Sequence, residues 1–227
     1  MTGVDDGKPK TKCQSLKVLT QTDSLSANIK PIVDSLKMKT SESKEWYINF
    51  RKKMNYGEVY SVPENGGIKE SNSIENAKAY VGTFWFGQIH THPDTRYNMF
   101  SWLDLRAMKE IHSEVHSSFK DDAFLMFVGN NGEVYALKVD DITTLTTVLD
   151  ADFTNAKGKN DKAKEDYIEV QLAKEYKKSN NLEKTFLKLY GNHGISLYKA
   201  IDNNLSNWKQ LELDDEDDEI VNENICN

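Results

Sequence analysis

The 227-residue chain has no long apolar run, and this absence excludes one class of protein. No stretch approaches the ~20 apolar residues that a bilayer-spanning helix needs, so we expect no membrane segment. The N-terminal stretch MTGVDDGKPKTKCQS also lacks the apolar segment of a signal peptide. The expected location is therefore cytoplasmic, or secreted if a signal peptide has been removed.

Cysteine is scarce, because the chain has only Cys13 and Cys226, near its opposite ends. Two cysteines so far apart form neither a C-x-x-C motif nor a zinc ribbon. We therefore expect two free thiols. The alternative is a disulfide between the two ends of the chain, which would require an oxidising compartment.

The chain also lacks the basic stripe that nucleic-acid binding calls for. Its formal net charge is -7, but residues 211–227 alone carry eight acids and no bases. The rest of the chain is therefore close to neutral. Because a block of like charges repels itself, we expect residues 211–227 to form a disordered acidic tail. Binding of a partner is the alternative role for this tail.

The spacing of apolar residues predicts the order helix, three strands, helix, two strands and further helices. The fold class is therefore expected to be α/β (α+β), with a mixed, mostly antiparallel sheet flanked by helices. We expect helices over residues 161–178, 181–190 and about 195–210. The expected organisation is a polar leader, a core domain, a helical extension and the acidic tail, over residues 1–25, 26–149, 150–210 and 211–227.

Two histidines, His90 and His92, lie at the end of the strongest predicted strand, AYVGTFWFGQIHTH. Side chains along a strand alternate between its faces, so both imidazoles point the same way and can reach one metal ion. Pro93 cannot continue a central strand and therefore leaves the pair at the end of the sheet. A second pair of histidines, in HSEVH at residues 112–116, is expected to be exposed on the following helix.

Asp104 lies in the first turn of the helix that begins near Ser101, and its carboxylate can supply a third ligand. Two nitrogens and one oxygen, with water in the fourth position, form the open site that catalytic zinc uses. The same residues have a structural interpretation, because S-x-x-D is also a helix-capping arrangement. The combination of strand, H-x-H-P, short loop and S-x-x-D is much harder to obtain by accident than either part alone.

The stretch GQIHTHPDTRYNMFSWLDLRAMK, residues 87–109, resembles the motif of the JAMM (MPN+ or JAB) zinc metalloproteases, H-x-H-P followed by S-x-x-D. The loop DTRYNMF has seven residues where the family usually has six. The resemblance extends roughly over residues 26–149 and is specific over residues 84–106. It implies a JAB/MPN-like fold with a cytidine-deaminase-like layout, and Zn²⁺ held by His90, His92 and Asp104.

The resemblance also implies two catalytic residues. Ser101 matches the serine that stabilises the developing oxyanion. The family further uses an upstream glutamate as general base toward the attacking water, and Glu45, which opens EWYINFRKK, is our prediction for it. Glu42 and Glu58 are the alternative bases, and Glu45 could equally be a plain surface acid.

These matches imply a zinc-dependent peptidase or isopeptidase that acts on a protein or peptide substrate, with ubiquitin-like proteins among the candidates. Three alternatives stay open. The chain could be a JAMM-like scaffold or binding module without activity, a JAB-type domain of a bacterial toxin system, or a metal-free α/β protein with an accidental motif. The presence of all three ligand residues favours the enzyme.

Overall fold

The computed structural model of the chain describes residues 11–20, 28–71, 78–93 and 96–226. Within these ranges the α-helices are α1 (Lys12–Val18), α2 (Lys30–Lys37), α3 (Trp102–Glu114), α4 (Ile142–Asn155), α5 (Asp161–Lys178) and α6 (Leu182–Tyr190), and Ser117–Asp122 forms a 3-10 helix. The strands are β1 (Trp46–Asn55), β2 (Glu58–Pro63), β3 (Lys69–Glu70), β4 (Trp85–Thr91), β5 (Phe124–Val128), β6 (Val134–Val139), β7 (Ile195–Ala200), β8 (Trp208–Leu213) and β9 (Val221–Ile225). None of the helices in these ranges is long and apolar enough to cross a membrane.

All nine strands belong to one sheet, in the order β2-β1-β4-β5-β6-β7-β8-β9, with β3 paired to β1. The pair β4–β5 is parallel, and the other pairs of described strands are antiparallel. The predicted mixed, mostly antiparallel sheet flanked by helices is therefore confirmed. Parallel neighbours need a crossover connection, and α3 lies within the connection between β4 and β5.

The middle of the sheet is the centre of the core. All residues of β5 and β6 are buried, as expected for strands that are covered on both faces. Helix α3 contacts β4, β5 and β6, and its buried side chains include Leu105, Met108 and Ile111. A Cβ on Gly87 would lie 2.2 Å from the ring of Phe124, so a glycine is needed where β4 meets that ring. The contacts of α3 with β4, β5 and β6 hold this helix against the middle of the sheet.

The predicted polar leader is only partly described, because residues 1–10 and 21–25 lie outside the described ranges. Its remaining part is not extended, since α1 forms there with a capping box. Thr11 accepts a hydrogen bond from the backbone of Gln14, and the Gln14 side chain accepts one from the Thr11 backbone. The local helix-capping signal was present in the sequence, but the polar composition around it concealed the helix.

The prediction of two free thiols was wrong, because Cys13 and Cys226 form a disulfide. Their Cα atoms lie 5.4 Å apart, within the usual range for a bridge. Helix α1 contacts β8, and Lys17 Nζ donates a hydrogen bond to the carbonyl oxygen of Cys226 at 2.8 Å. The contact joins residues 213 positions apart, so sequence spacing alone could not reveal it.

The helix predicted over about 195–210 is also wrong, because β7 and β8 occupy that stretch. Strand β7 pairs with β6, so its conformation depends on a partner about 60 residues earlier in the chain. Helices α5 and α6, by contrast, confirm the predictions over 161–178 and 181–190. The predicted helical extension is thus helical only in part, and its last part continues the core sheet.

The acidic segment is ordered where the structure describes it, so the prediction of a disordered tail was wrong for residues 211–226. Strands β8 and β9 pair in antiparallel register across it. The acids between them lie beside lysines of α6, where Lys184 Nζ donates to Glu219 at 2.6 Å and Lys188 lies 3.2 Å from Asp218. These lysines offset part of the repulsion on which the prediction rested.

Candidate metal centre and cleft

The two histidines of the motif lie where β4 ends. His90 is in the strand, and His92 follows it and still donates its backbone N–H to the Val128 carbonyl of β5 at 3.0 Å. Both side chains are almost fully buried, with 2% and 4% of their surface exposed. Their Nε2 atoms lie 3.0 Å apart, which agrees with the predicted placement of both imidazoles on one side of the strand.

Asp104 brings a carboxylate to the same point from the first turn of α3. Its Oδ1 lies 3.4 Å from His90 Nε2, and its Oδ2 lies 3.6 Å from His92 Nε2. Two atoms bound to one tetrahedral zinc at about 2.0–2.1 Å would lie about 3.4 Å from each other. The distances from His90 Nε2 to His92 Nε2 and to Asp104 Oδ1 are within a few tenths of an ångström of that value. The three residues therefore form a group that could hold a metal ion.

The same S-x-x-D residues can cap helix α3 and still bring a carboxylate oxygen to the candidate metal group. Ser101 Oγ accepts a hydrogen bond from the Asp104 backbone at 3.2 Å, and Asp104 Oδ2 accepts one from the Ser101 backbone at 2.7 Å. This capping box holds the Asp104 carboxylate in place while its other oxygen faces His90. The seven-residue loop between Pro93 and Ser101 therefore does not carry Asp104 out of reach.

The two imidazoles are held differently. His92 Nδ1 lies 2.8 Å from the carbonyl oxygen of Tyr97, to which it donates, and the His92 ring stacks on Phe127 at 4.4 Å between centroids. This contact leaves Nε2 of His92 facing the site, as expected of a ligand imidazole. By contrast, His90 Nδ1 is buried without a hydrogen-bond partner among the described residues.

These surroundings separate the pKa values of the two histidines. Burial lowers the pKa of His90 to about 4, against a partly compensating attraction from Asp104. Burial also opposes protonation of His92, but the hydrogen bond and charge of Asp104 outweigh it and raise the pKa of His92. Burial opposes ionisation of Asp104 as well, yet the two histidines and the Ser101 backbone lower its pKa overall. In the metal-free group these shifts favour a proton on His92 over one on His90, beside an ionised Asp104.

Of the three candidate general bases, Glu45 is the one that lines the cleft next to the histidines. It directly precedes β1, is only 5% exposed, and shares the lining of the cleft with His92 and Ser101. Its charge is one of the causes that raise the pKa of His92. Glu42 instead pairs with Lys39 and accepts a hydrogen bond from the Trp46 indole, while Glu58 is exposed on β2.

One residue that sequence reasoning missed also lines this cleft. Glu169 lies on α5, and its Oε1 accepts a hydrogen bond from the backbone N–H of Leu103 in the first turn of α3 at 2.8 Å. Burial is the main cause that raises the pKa of Glu169 to about 7, and the nearby charge of Asp104 adds to it. The sequence signal was an acid beside the buried positions Ile168, Leu172 and Tyr176, at helical spacing.

The histidines of HSEVH do not form the predicted pair on one helix. Helix α3 ends at Glu114, and His116 precedes the 3-10 helix, where its side chain accepts a hydrogen bond from the Ser118 backbone. His116 is exposed as predicted, but His112 is partly buried, so that part of the prediction was wrong. Neither histidine belongs to the group of potential metal ligands.

The chain matches no protein-family model, and no curated protein matches it in sequence.

Proposed function

We propose that this chain is a zinc-dependent peptidase or isopeptidase of the JAMM type. The observation that carries the proposal is the convergence of His90, His92 and Asp104 at the end of β4, within 3.0 to 3.6 Å of one another. Two imidazoles and one carboxylate make up the protein ligand set of many catalytic zinc sites, in which the fourth position stays open.

Zinc bound by these residues would polarise the scissile carbonyl and lower the pKa of the attacking water. Glu45 would take a proton from that water and pass it to the leaving amine, because its carboxylate lines the cleft beside His92. Ser101 would donate a hydrogen bond from its hydroxyl to the carbonyl oxygen as negative charge develops there. The Tyr97 carbonyl would keep His92 in the tautomer with Nε2 toward the metal.

The substrate in this proposal is a peptide chain or an isopeptide-linked protein, because the H-x-H-P and S-x-x-D residues resemble those of the JAMM peptidases and isopeptidases. Ubiquitin-like proteins are one such class. The JAB/MPN-like arrangement of the fold belongs to the same proposal, and its support is the succession of β4, the H-x-H-P stretch and α3.

Zinc content and hydrolysis together test the proposal. The purified chain should bind one zinc per molecule and cut a mixture of unstructured peptides, followed by mass spectrometry. His92→Ala should lose the zinc and the activity, whereas His116→Ala, the matched change of an exposed histidine, should keep both. Glu45→Gln should keep the zinc and lose about 10²-fold or more of kcat.

Each outcome has a defined consequence. Zinc binding without cleavage of any peptide or isopeptide would favour the binding-module alternative. An unchanged rate in Glu45→Gln would remove Glu45 from the mechanism. A chain that binds no zinc would contradict the proposal as a whole.

A further inference from the structure

The cleft beside the metal ligands has one wall made by α5, outside the part of the chain that carries the motif. The cleft has a volume of about 250 Å³. Residues at positions 169, 172, 173 and 176 of α5 line it, and this spacing places them on one face of the helix. Tyr97 and Met99, from the loop before α3, also line it.

Most of the side-chain surface that α5 turns toward the cleft is apolar. The hydroxyl of Tyr176 donates to the Phe100 carbonyl at 2.7 Å, so this side chain presents its ring rather than its hydroxyl. The ring lies 5.4 Å from that of Tyr97, centroid to centroid. Leu172 and Ala173 add only aliphatic surface.

Besides Glu45, two ionisable side chains line the cleft, one acidic and one basic. Glu169 is tied to the Leu103 N–H, and the charge of Arg96 acts on its carboxylate. A cationic or an anionic ligand group would therefore meet both an attractive and a repulsive partner, at a cost in desolvation. The lining thus favours a ligand group that is uncharged and apolar.

The cleft is continuous with the catalytic end, because Glu45, His92 and Ser101 line it together with α5. In the proposed function the Ser101 hydroxyl binds the carbonyl oxygen of the substrate, so that oxygen would lie at the Ser101 end of the cleft. The substrate group nearest to that position is the side chain of the residue that contributes the carbonyl.

We propose that α5 makes this cleft a specificity pocket for an aliphatic side chain, of leucine type, on the residue whose carbonyl is attacked. This inference rests on the proposed function, because the metal ligands define where that carbonyl lies. Val170, 52% exposed, stands at the mouth of the pocket, and Ala173 lines its wall.

The test compares two hydroxamates, which both bind zinc through the same group, on the zinc-loaded full chain. N-acetyl-leucine hydroxamate carries the aliphatic side chain, and N-acetyl-glycine hydroxamate lacks it but is otherwise identical. We expect the leucine compound to bind at least tenfold more tightly, because its isobutyl group leaves water for the cleft. Calorimetric titration gives both dissociation constants.

Substitutions on α5 locate the effect. Ala173→Phe should fill the pocket and reduce the preference to less than threefold, with zinc content unchanged. Lys174→Phe adds the same ring at an exposed position of the same helix and should keep the full preference. If Ala173→Phe does not fold, Val170→Trp narrows the mouth at a position that tolerates a larger side chain.

The possible failures can be told apart because zinc content is measured first. One zinc per chain with equal affinities for the two hydroxamates would overturn the pocket and leave the proposed function standing. A tenfold preference that persists in both Ala173→Phe and Val170→Trp would also overturn it. A chain without zinc would overturn the proposed function, and the pocket with it.

Discussion

Binding of zinc to the metal-free protein should release about one proton per ion near pH 5.5, although the proposed ligands include two histidines. The experiment adds zinc to the metal-free protein. The proton comes from His92, whose pKa is raised by Asp104, and not from His90, whose pKa burial lowers to about 4. A ligand nitrogen must be free of its proton before it can bind a metal.

The expected magnitude follows from these pKa values. With a pKa of about 4, His90 is about 3% protonated at pH 5.5 and contributes almost nothing. With a pKa above the ordinary 6.5, His92 is at least about 90% protonated at that pH, and Asp104 is already ionised. The dissociation constant for zinc should therefore fall about tenfold per pH unit between pH 5 and 6. Two ordinary histidines would release about 1.8 protons at pH 5.5.

Isothermal titration calorimetry in two buffers with different heats of ionisation counts the protons directly. The metal-free protein is prepared with a chelator and then dialysed, and His116→Ala serves as the control. A count near two would refute the lowered pKa of His90. A count near zero would refute the proton that the structure assigns to His92 beside Asp104.

Three further predictions concern the surroundings of the site. Asp104→Asn keeps an acceptor for the Ser101 backbone but loses the charge, so zinc affinity should fall at least tenfold in a competition titration. Asp104→Ala also loses the acceptor, so its free energy of unfolding should be about 1 kcal/mol lower than that of Asp104→Asn. Equal stabilities of the two variants would contradict the capping role. The pKa of Glu169 is about 7 in the folded chain and near 4.5 in the unfolded chain, so the protonated side chain favours folding. This contribution to the free energy of unfolding is fully present below pH 4.5 and is lost as the pH rises through 7. Urea unfolding of the metal-free chain should therefore show a fall of roughly 1–2 kcal/mol from pH 4.5 to 7.5 that Glu169→Gln removes, and a parallel pH profile of the variant would refute this. Reduction of the Cys13–Cys226 disulfide should lower the free energy of unfolding by about 2–4 kcal/mol, and an unchanged urea midpoint would show that the bridge adds nothing.

The features that the sequence revealed are local ones. The hairpin of β5 and β6 has apolar runs on both sides of an Asn-Gly pair, and the signal lies within about 20 residues. The candidate ligands were recognisable for the same reason, because His90, His92 and Asp104 lie within one strand, one loop and one helix turn. Their convergence needs only that α3 begins beside the end of β4.

The features that the sequence did not reveal depend on distant contacts. Strand β7 forms because β6 offers it an edge, and β9 pairs with β8 although acids separate them. Glu169 reaches the first turn of α3 from 65 positions beyond Asp104, and the Cys13–Cys226 bridge joins the two ends of the described chain. Periodicity and spacing carry no information about such partners.

X-ray absorption at the zinc edge identifies the atoms that surround the bound ion. In the zinc-loaded chain we expect one ion per molecule, with nitrogen and oxygen neighbours at about 2.0–2.1 Å and the scattering pattern of two imidazoles. His90→Ala should leave the pattern of one imidazole or abolish binding. No bound zinc, or a zinc with sulfur neighbours or without imidazoles, would contradict the account.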